Sequence, residues 1–366
     1  MKLACVGVGS AGGRIVAAIR RQEKETGLTV TDGHVLVYDT DREALAELDG
    51  LPSESRVPVG DTFEAVEGEG VNGNPELAAE VARIDDHEIH RSFDDIPVEE
   101  DLDGILVVGG LGGATGSGTG AVIIDMCREL FEEPVYAVAV LPHPEEDRSR
   151  AVTAARGLQS YVRLADNSIV FDNGRWVESP GEADYGTAND ELAARIVQLL
   201  ALGDFDGAVA EARVDRTDII RTLSTGGVST IGMASITLDW GWRRWVRWVP
   251  GLNLTPTNGT NEALRIKNLV RRAVDSHLTV DCEISSAERG LIVLSGPPTA
   301  LSRKGFESAR YWLEEEADTV EIIAGDEPQP NSDTVTATVL LSNVTEVQPI
   351  ETLKATATAT VDAPDA

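Results

Sequence analysis

Twelve residues constrain this chain more than any others: Gly109-Gly-Leu-Gly-Gly-Ala-Thr-Gly-Ser-Gly-Thr-Gly120. An apolar run, Ile105-Leu106-Val107-Val108, precedes them and reads as a buried strand. Ala121 to Leu130 follows and reads as a helix. A strand, a loop almost without Cβ atoms and then a helix is an architecture that binds phosphate. Glycine lets the backbone adopt positive φ and approach an anion closely, and a helix N-terminus offers unpaired N–H groups with a partial positive charge. Thr115, Ser117 and Thr119 add hydroxyl donors. A flexible linker is the bland alternative, but linkers are rarely set between a buried strand and a helix.

Other loops fall into order around this one. Lys2 to Val8 reads as a strand that turns through Gly9-Ser10-Ala11-Gly12-Gly13-Arg14 into a helix ending near Arg21. This fits the Gly-x-Gly-x-x-Gly pattern of dinucleotide sites, weak alone. A strand from His34 to Tyr38 ends in Asp39-Thr40-Asp41, and an acid there suits a ribose contact. An NAD-dependent enzyme using Gly7, Gly9, Gly12 and Asp39 is therefore one reading. It needs a catalytic His or Lys, and none of the five His sits in a convincing motif. A P-loop is excluded, because no Lys lies near the glycine-rich loop.

Composition narrows the partners. Acidic residues outnumber basic ones 62 to 31 over 366 residues, giving a net charge of −31, so nucleic acid or an anionic membrane is not a general partner. Scarce Lys with acid excess suits a salt-rich cytoplasm, where screening removes self-repulsion. Cys5, Cys127 and Cys282 lie in or beside apolar runs without metal or disulfide spacing, as in a reducing compartment. No metal-ligating protein cluster is expected. Leu3-Ala4-Cys5 resembles a lipoprotein cleavage box only faintly, and no apolar run is long enough to span a membrane. A cytoplasmic location is expected.

Gly112 to Gly118 resembles the tubulin loop Gly-Gly-Gly-Thr-Gly-Ser-Gly, with Ala114 in place of one Gly. The remaining loops match the tubulin/FtsZ superfamily in chain order. Gly9 to Arg14 resembles the first nucleotide loop, and Asp39-Thr40-Asp41 the Asn-Thr-Asp of FtsZ. The segment 68–76, with Gly73 and Asn74 before Pro75 and Glu76, resembles the third loop. After the strand Val135 to Leu141, Glu146 and Arg150 fall at the offsets FtsZ uses beyond its Pro. Asp172-Asn173, and Tyr185 with Asn189, resemble tubulin's guanine-reading segments. A Tyr ring can stack on a purine, and Asn presents both donor and acceptor.

Leu192, Ile196, Leu199 and Leu200 predict an apolar-faced helix from about Ala188 to Leu202, the superfamily's central helix. Asp215 and Asp218 then match the two carboxylates of FtsZ's Asn-x-Asp-x-x-Asp. Their spacing puts both on one helix face, although two acids capping a helix is the plain alternative. Later segments predict a second α/β domain. Helices are expected over about 262–276 and 302–316, and strands over 290–295, 319–324 and 334–343, with 325–333 a polar turn.

The expected organisation is a Rossmann-like parallel-sheet GTPase domain (1–186), a long central helix (187–206), a C-terminal α/β domain (207–344) and a disordered tail (345–366). The Thr-, Ala- and Pro-rich composition suggests the last. Trp240 to Trp248 holds four Trp and three Arg in nine residues, a composition suited to a protein contact, local packing or a membrane surface.

The mixture of tubulin-like and FtsZ-like features, over Met1 to about Asn343, most resembles the CetZ group of archaeal tubulin-like proteins. That resemblance implies GTP or GDP with Mg²⁺ in the N-terminal domain, longitudinal self-association into filaments, and a role in cell shape. It implies that Asp215 and Asp218 act on the nucleotide of the next subunit, so hydrolysis needs assembly. Arg213 in place of the family's Asn, and Ala114 in place of Gly, point to slowed turnover. A filament former with weak hydrolysis is thus a variant of this reading, and a non-hydrolysing GTP-binding regulator of a related polymer is the second alternative.

Overall fold

The computed structural model describes residues 1–94, 96, 102–180, 182–202, 214–238, 259–301, 303–317 and 321–362. Arg213, the segment 203–213 and the Trp-rich stretch 240–248 lie outside the described residues.

The N-terminal half alternates strand and helix. β1 (Leu3–Val8) leads to α1 (Gly9–Thr26), β2 (Val35–Asp39) to α2 (Arg42–Ala46), and β3 (Arg56–Pro58) to α3 (Pro75–Ile84) and α4 (Asp86–Phe93). Then come β4 (Gly104–Gly110), α5 (Ala114–Leu130), β5 (Val135–Leu141), α6 (Arg148–Leu164) and β6 (Asn167–Asp172). The short α7 (Asn173–Trp176) precedes the long α8 (Glu182–Leu200). The rest comprises α9 (Arg216–Leu223), β7 (Val228–Thr237), α10 (Gly259–Ser276), β8 (Arg289–Gly296), α11 (Arg303–Ala317), β9 (Glu321–Pro328), β10 (Thr334–Ser342) and α12 (Gln348–Asp362).

The ten strands among the described residues join one sheet in the order β3-β2-β1-β4-β5-β6-β7-β10-β8-β9. From β3 to β7 every pair is parallel, whereas β10 is antiparallel to both β7 and β8. The two halves meet at β6 and β7, paired only through Ser168–Val228 and Ile169–Ser229. Central strands are buried on both faces, as parallel sheets must be. Ile105 and Val107 face one core with Ile123 and Leu158, whereas Leu106 and Val108 face the other with Ile15 and Ile196. Apolar residues on both sides of each strand thus demand two helix layers.

Several sequence expectations change, among them the central helix, which spans Glu182–Leu200 rather than 187–206, and β9, which runs on to Pro328 through part of the expected turn 325–333. The helix after β4 begins at Ala114, seven residues before the expected start, so Gly116, Ser117, Gly118, Thr119 and Gly120 are helical. Tertiary packing overrides their poor helix propensity. β7 was not anticipated, because Val228-Ser-Thr-Ile-Gly-Met-Ala-Ser-Ile-Thr237 mixes small and polar residues without clean alternation. The tail expected to be disordered contains α12, which packs along α6 and buries Ile350, Leu353 and Ala357. Those three lie at i, i+3 and i+7, an amphipathic stripe hidden by the surrounding Thr and Ala.

Truncating Leu353 to Ala removes buried apolar volume between α12 and α6, and urea titration of the full chain should show a loss of about 2 kcal/mol. An unstructured tail would give no change.

Candidate functional site

β1 and β4 are neighbours in the sheet, and the chain leaves them on opposite sides, β1 toward β2 and β4 toward β5. Ligands settle at such a switch point, outside the carboxyl ends of the strands. Here the N-termini of α1 and α5 converge on a cavity of about 480 Å³. Gly9, Ser10, Ala11 and Arg14 line one side of it, and Gly112, Gly113, Ala114, Thr115 and Gly116 line another. The two helix starts touch: a Cβ on Gly9 would lie 3.1 Å from Gly116 N, and Gly9 itself has φ 73°. Free N–H groups of both first turns therefore point toward one small volume, which favours an anion.

None of the residues 109–120 has positive φ. Their glycines serve close approach instead. A Cβ on Gly116 would sit 2.3 Å from Gly110 O. Cβ atoms on Gly109 and Gly120 would meet the Tyr161 hydroxyl at 2.1 and 1.9 Å. That hydroxyl, fully buried, donates to Gly116 O at 2.6 Å. Tyr161, invisible to motif reading, thus clamps the first turn of α5.

Hydrogen bonds tie the neighbouring loops in. Ser10 Oγ donates to Asp39 Oδ2 at 2.9 Å, and the hydroxyls of Thr40 and Thr115 lie 2.8 Å apart. Asp39 is buried, and burial pushes its carboxyl above the ordinary range despite the Ser10 donor. It does not line the cavity, so the ribose contact of an NAD enzyme is not available to it.

On the far side, Glu146, Arg150, Asn173, Tyr185 and Asn189 close the cavity. Glu146 pairs with Arg150 at 3.0 Å and accepts from the Tyr185 hydroxyl at 2.6 Å and from His143 N at 2.8 Å. Burial and this carboxylate raise the Tyr185 phenol. Tyr185 and Asn189 sit one turn apart near the start of α8, so one helix presents both. Val8, Ile15, Val140, Leu141 and Pro142, not anticipated, supply apolar wall.

Six of the expected binding residues stand outside this cavity. Gly12 and Gly13 pack α1 on the sheet, where Cβ atoms would meet Val108 O at 2.3 Å and Leu48 Cδ1 at 2.7 Å. Ser117 Oγ donates to Leu111 O at 2.5 Å, and Thr119, the third expected hydroxyl donor, gives its proton to Ala78 O at 3.0 Å. Gly118 lets Pro75 O approach to 2.1 Å of its Cβ position. Asn74 caps α3 by accepting from Leu77 N, with Gly73 exposed beside it.

Asp215 and Asp218 lie elsewhere. Asp215 caps α9, its Oδ1 accepting from Thr217 N and Asp218 N, while Asp218 Oδ2 accepts from Asp215 N. The plain capping role is therefore real, but each carboxylate spends one oxygen on it. The next residue, Arg216, pairs at 3.2 Å with Asp103, at the amino end of β4. The glycine loop leaves the carboxyl end of that strand, about 23 Å away at seven residues of about 3.3 Å each. α8 runs down the same distance, from Tyr185 at the cavity to Leu200, whose carbonyl accepts from the Met1 amino group at 2.5 Å. The acid pair and the cavity are at opposite ends of the sheet.

Glycine-rich turns at a switch point, a long helix leaving the cavity and a second α/β half define a protein of the tubulin/FtsZ type. Residues 2–180 match the tubulin/FtsZ family GTPase domain, and residues 179–359 match the tubulin-like CetZ C-terminal domain. Haloferax volcanii CetZ3 is 44% identical over 364 residues, covering 98% of this chain and 92% of the relative. CetZ1 of the same organism is 40% identical over 367 residues, covering 97% and 91%. The chain belongs to the tubulin-like CetZ family. Among solved structures, the GDP-bound CetZ1 monomer of Haloferax volcanii matches with a TM-score of 0.85 at 36% identity, covering 99% of this chain and all of that one. A GTPγS-bound CetZ2 protofilament from the same organism matches with a TM-score of 0.85 at 29% identity and 99% coverage of both.

Because Gly118 faces Pro75 O, Gly118→Ala should lower the thermal midpoint by several degrees, about 1–3 kcal/mol, through displacement of α3 from α5. An unchanged midpoint would contradict this packing role.

Proposed function

We propose that this protein binds GTP in the cavity between α1, α5 and α8, assembles head to tail with copies of itself, and hydrolyses GTP at the junction as a cytoskeletal polymer that controls cell shape. The observation that carries the reading is the separation of cavity and acid pair to opposite ends of one sheet. A single chain cannot bring Asp215 and Asp218 to its own nucleotide. Stacking one chain on the next sets the lower end of one against the upper end of the other, and the GTPγS-bound protofilament of the CetZ2 relative supports such stacking.

In this reading the N–H groups at Gly112 to Gly116 and at Gly9 to Ala11 hold the phosphates. Tyr185 stacks on the purine, while Asn173 and Asn189 read its edge. Glu146 fixes Tyr185 and Arg150. The free oxygens of Asp215 and Asp218, held rigid by their reciprocal caps, orient the attacking water of the neighbour's nucleotide. Among the described residues no group of three or more His, Cys, Asp or Glu is fit to hold a metal. Mg²⁺, when bound, would neutralise phosphate charge beside the Gly112 to Gly116 turn.

A regulator that binds GTP without hydrolysis is the second reading, favoured by Ala114 in the cavity wall where the resembling loop has Gly. Turnover per subunit decides between them. It should rise with protein concentration across the assembly threshold and fall at least tenfold in Asp218→Ala, with GTP affinity nearly unchanged. Turnover independent of concentration would contradict assembly-dependent hydrolysis, and its absence at every concentration favours the regulator.

Base choice is a separate check. GTP should bind at least about a hundredfold more tightly than ATP, because ATP leaves the amides of Asn173 and Asn189 mispaired. Equal affinity in competition titrations would refute the roles given to Tyr185, Asn173 and Asn189.

A further inference from the structure

A second cavity, of about 280 Å³, lies behind the loop that joins β5 to α6. Its back wall is α12, through Leu353, Thr352 and Thr356. Leu141, Pro142, Pro144 and Ala151 make most of the remaining surface apolar, with His143, Glu146, Asp147 and Arg148 also lining it. Asp172, the last residue of β6, enters this apolar wall as a carboxylate. Its Oδ1 accepts from Gly174 N at 2.9 Å, and no described contact reaches Oδ2. Burial raises this carboxyl, and neighbouring Asp281 adds to the effect. Asp172 is half-buried, and a carboxylate oxygen set beside apolar surface suits a donor carried on an apolar body.

The two cavities share a wall. Leu141, Pro142 and Glu146 line both, and Asp172 directly precedes Asn173, which lines the larger one. Whatever fills the smaller space presses on the loop that carries Glu146 and on the turn that carries Asn173.

We propose that the cavity between α12, the β5–α6 loop and the end of β6 is a binding site for a compact, largely apolar amine, whose ammonium pairs with Asp172 and whose occupancy tightens nucleotide binding next door. The apolar body packs on Leu141, Pro144 and Leu353, and the occupied cavity braces the shared loop in the conformation that closes the larger site. Coupling of this kind is reciprocal, so nucleotide should tighten the amine equally. The coupling rests on the proposed nucleotide site; occupancy of the smaller cavity does not.

Tryptamine, an indole body with one ammonium, is the probe. Titrated by calorimetry into the nucleotide-free full-length chain, it should bind saturably with one site. Thr356→Trp, which fills the cavity from α12, and Asp172→Asn, which removes the charge, should each weaken it at least about tenfold. Far-UV circular dichroism and thermal midpoint confirm that both variants fold. Saturating tryptamine should tighten GDP binding by about fivefold or more in wild type and leave it unmoved in Thr356→Trp. No saturable binding at millimolar tryptamine, or binding that both variants keep, overturns the site. Binding without any change in GDP affinity overturns the coupling. A chain that takes no GDP at all overturns the coupling and the nucleotide reading together, while the tryptamine titration still decides the site.

Discussion

Two helix N-termini can share one anion only if nothing stands between them, and here a Cβ on Gly9 would already press on Gly116 N at 3.1 Å. The rest of the structure maintains that approach. Tyr161 holds Gly116 from one side, β1 and β4 run side by side beneath, and the Thr40–Thr115 contact joins the second loop to the first turn of α5. All but one of the glycines from 109 to 120 answer a close neighbour: a carbonyl, a tyrosine hydroxyl, the Pro142 ring or the opposite helix. Side chains there would part the helices, and the partial positive charges of their ends would no longer converge.

The same sheet sets the distance between binding and chemistry. Parallel strands place every βα turn at one end, so the cavity has to form there. α8 leaves that end antiparallel to the strands and delivers the chain to the other, beside Met1 and Asp103. Asp215 and Asp218, early in the element that follows, are placed by that geometry on the far face. In the proposed reading the isolated chain has half of a reaction centre at each end, and an assembly that repeats along the strand direction would complete one centre per junction.

Much of the site could be read from the chain because its loops carry local chemistry. Gly9, Ser10, Ala11, Arg14, Gly112 to Gly116, Glu146 with Arg150, Asn173, and Tyr185 with Asn189 meet at one cavity although 180 residues separate the first from the last. What sequence reading misplaced has physical causes. Gly12, Gly13, Ser117 and Gly118 belong to the same motifs but face the sheet, α3 or neighbouring carbonyls, because a helix of 3.6 residues per turn points part of every turn away from the cavity. Tyr161 escaped notice because its partners are backbone atoms 45 residues away. α12 escaped because a Thr- and Ala-rich helix holds its place by packing on α6 rather than by propensity.

Mixing two inactive variants tests the account most directly. Asp218→Ala retains an intact cavity, and Thr115→Glu places a carboxylate among the N–H groups meant for phosphate while leaving Asp215 and Asp218 untouched. Thr115 suits this better than Gly116, where any side chain would strike Gly110 O and disturb the fold. If each reaction centre is shared by two subunits, the mixture should recover GTP turnover that neither variant shows alone, because mixed junctions pair a good cavity with a good acid pair. Turnover in the mixture no greater than the sum of the separate variants, with co-assembly confirmed by sedimentation, would contradict the shared centre.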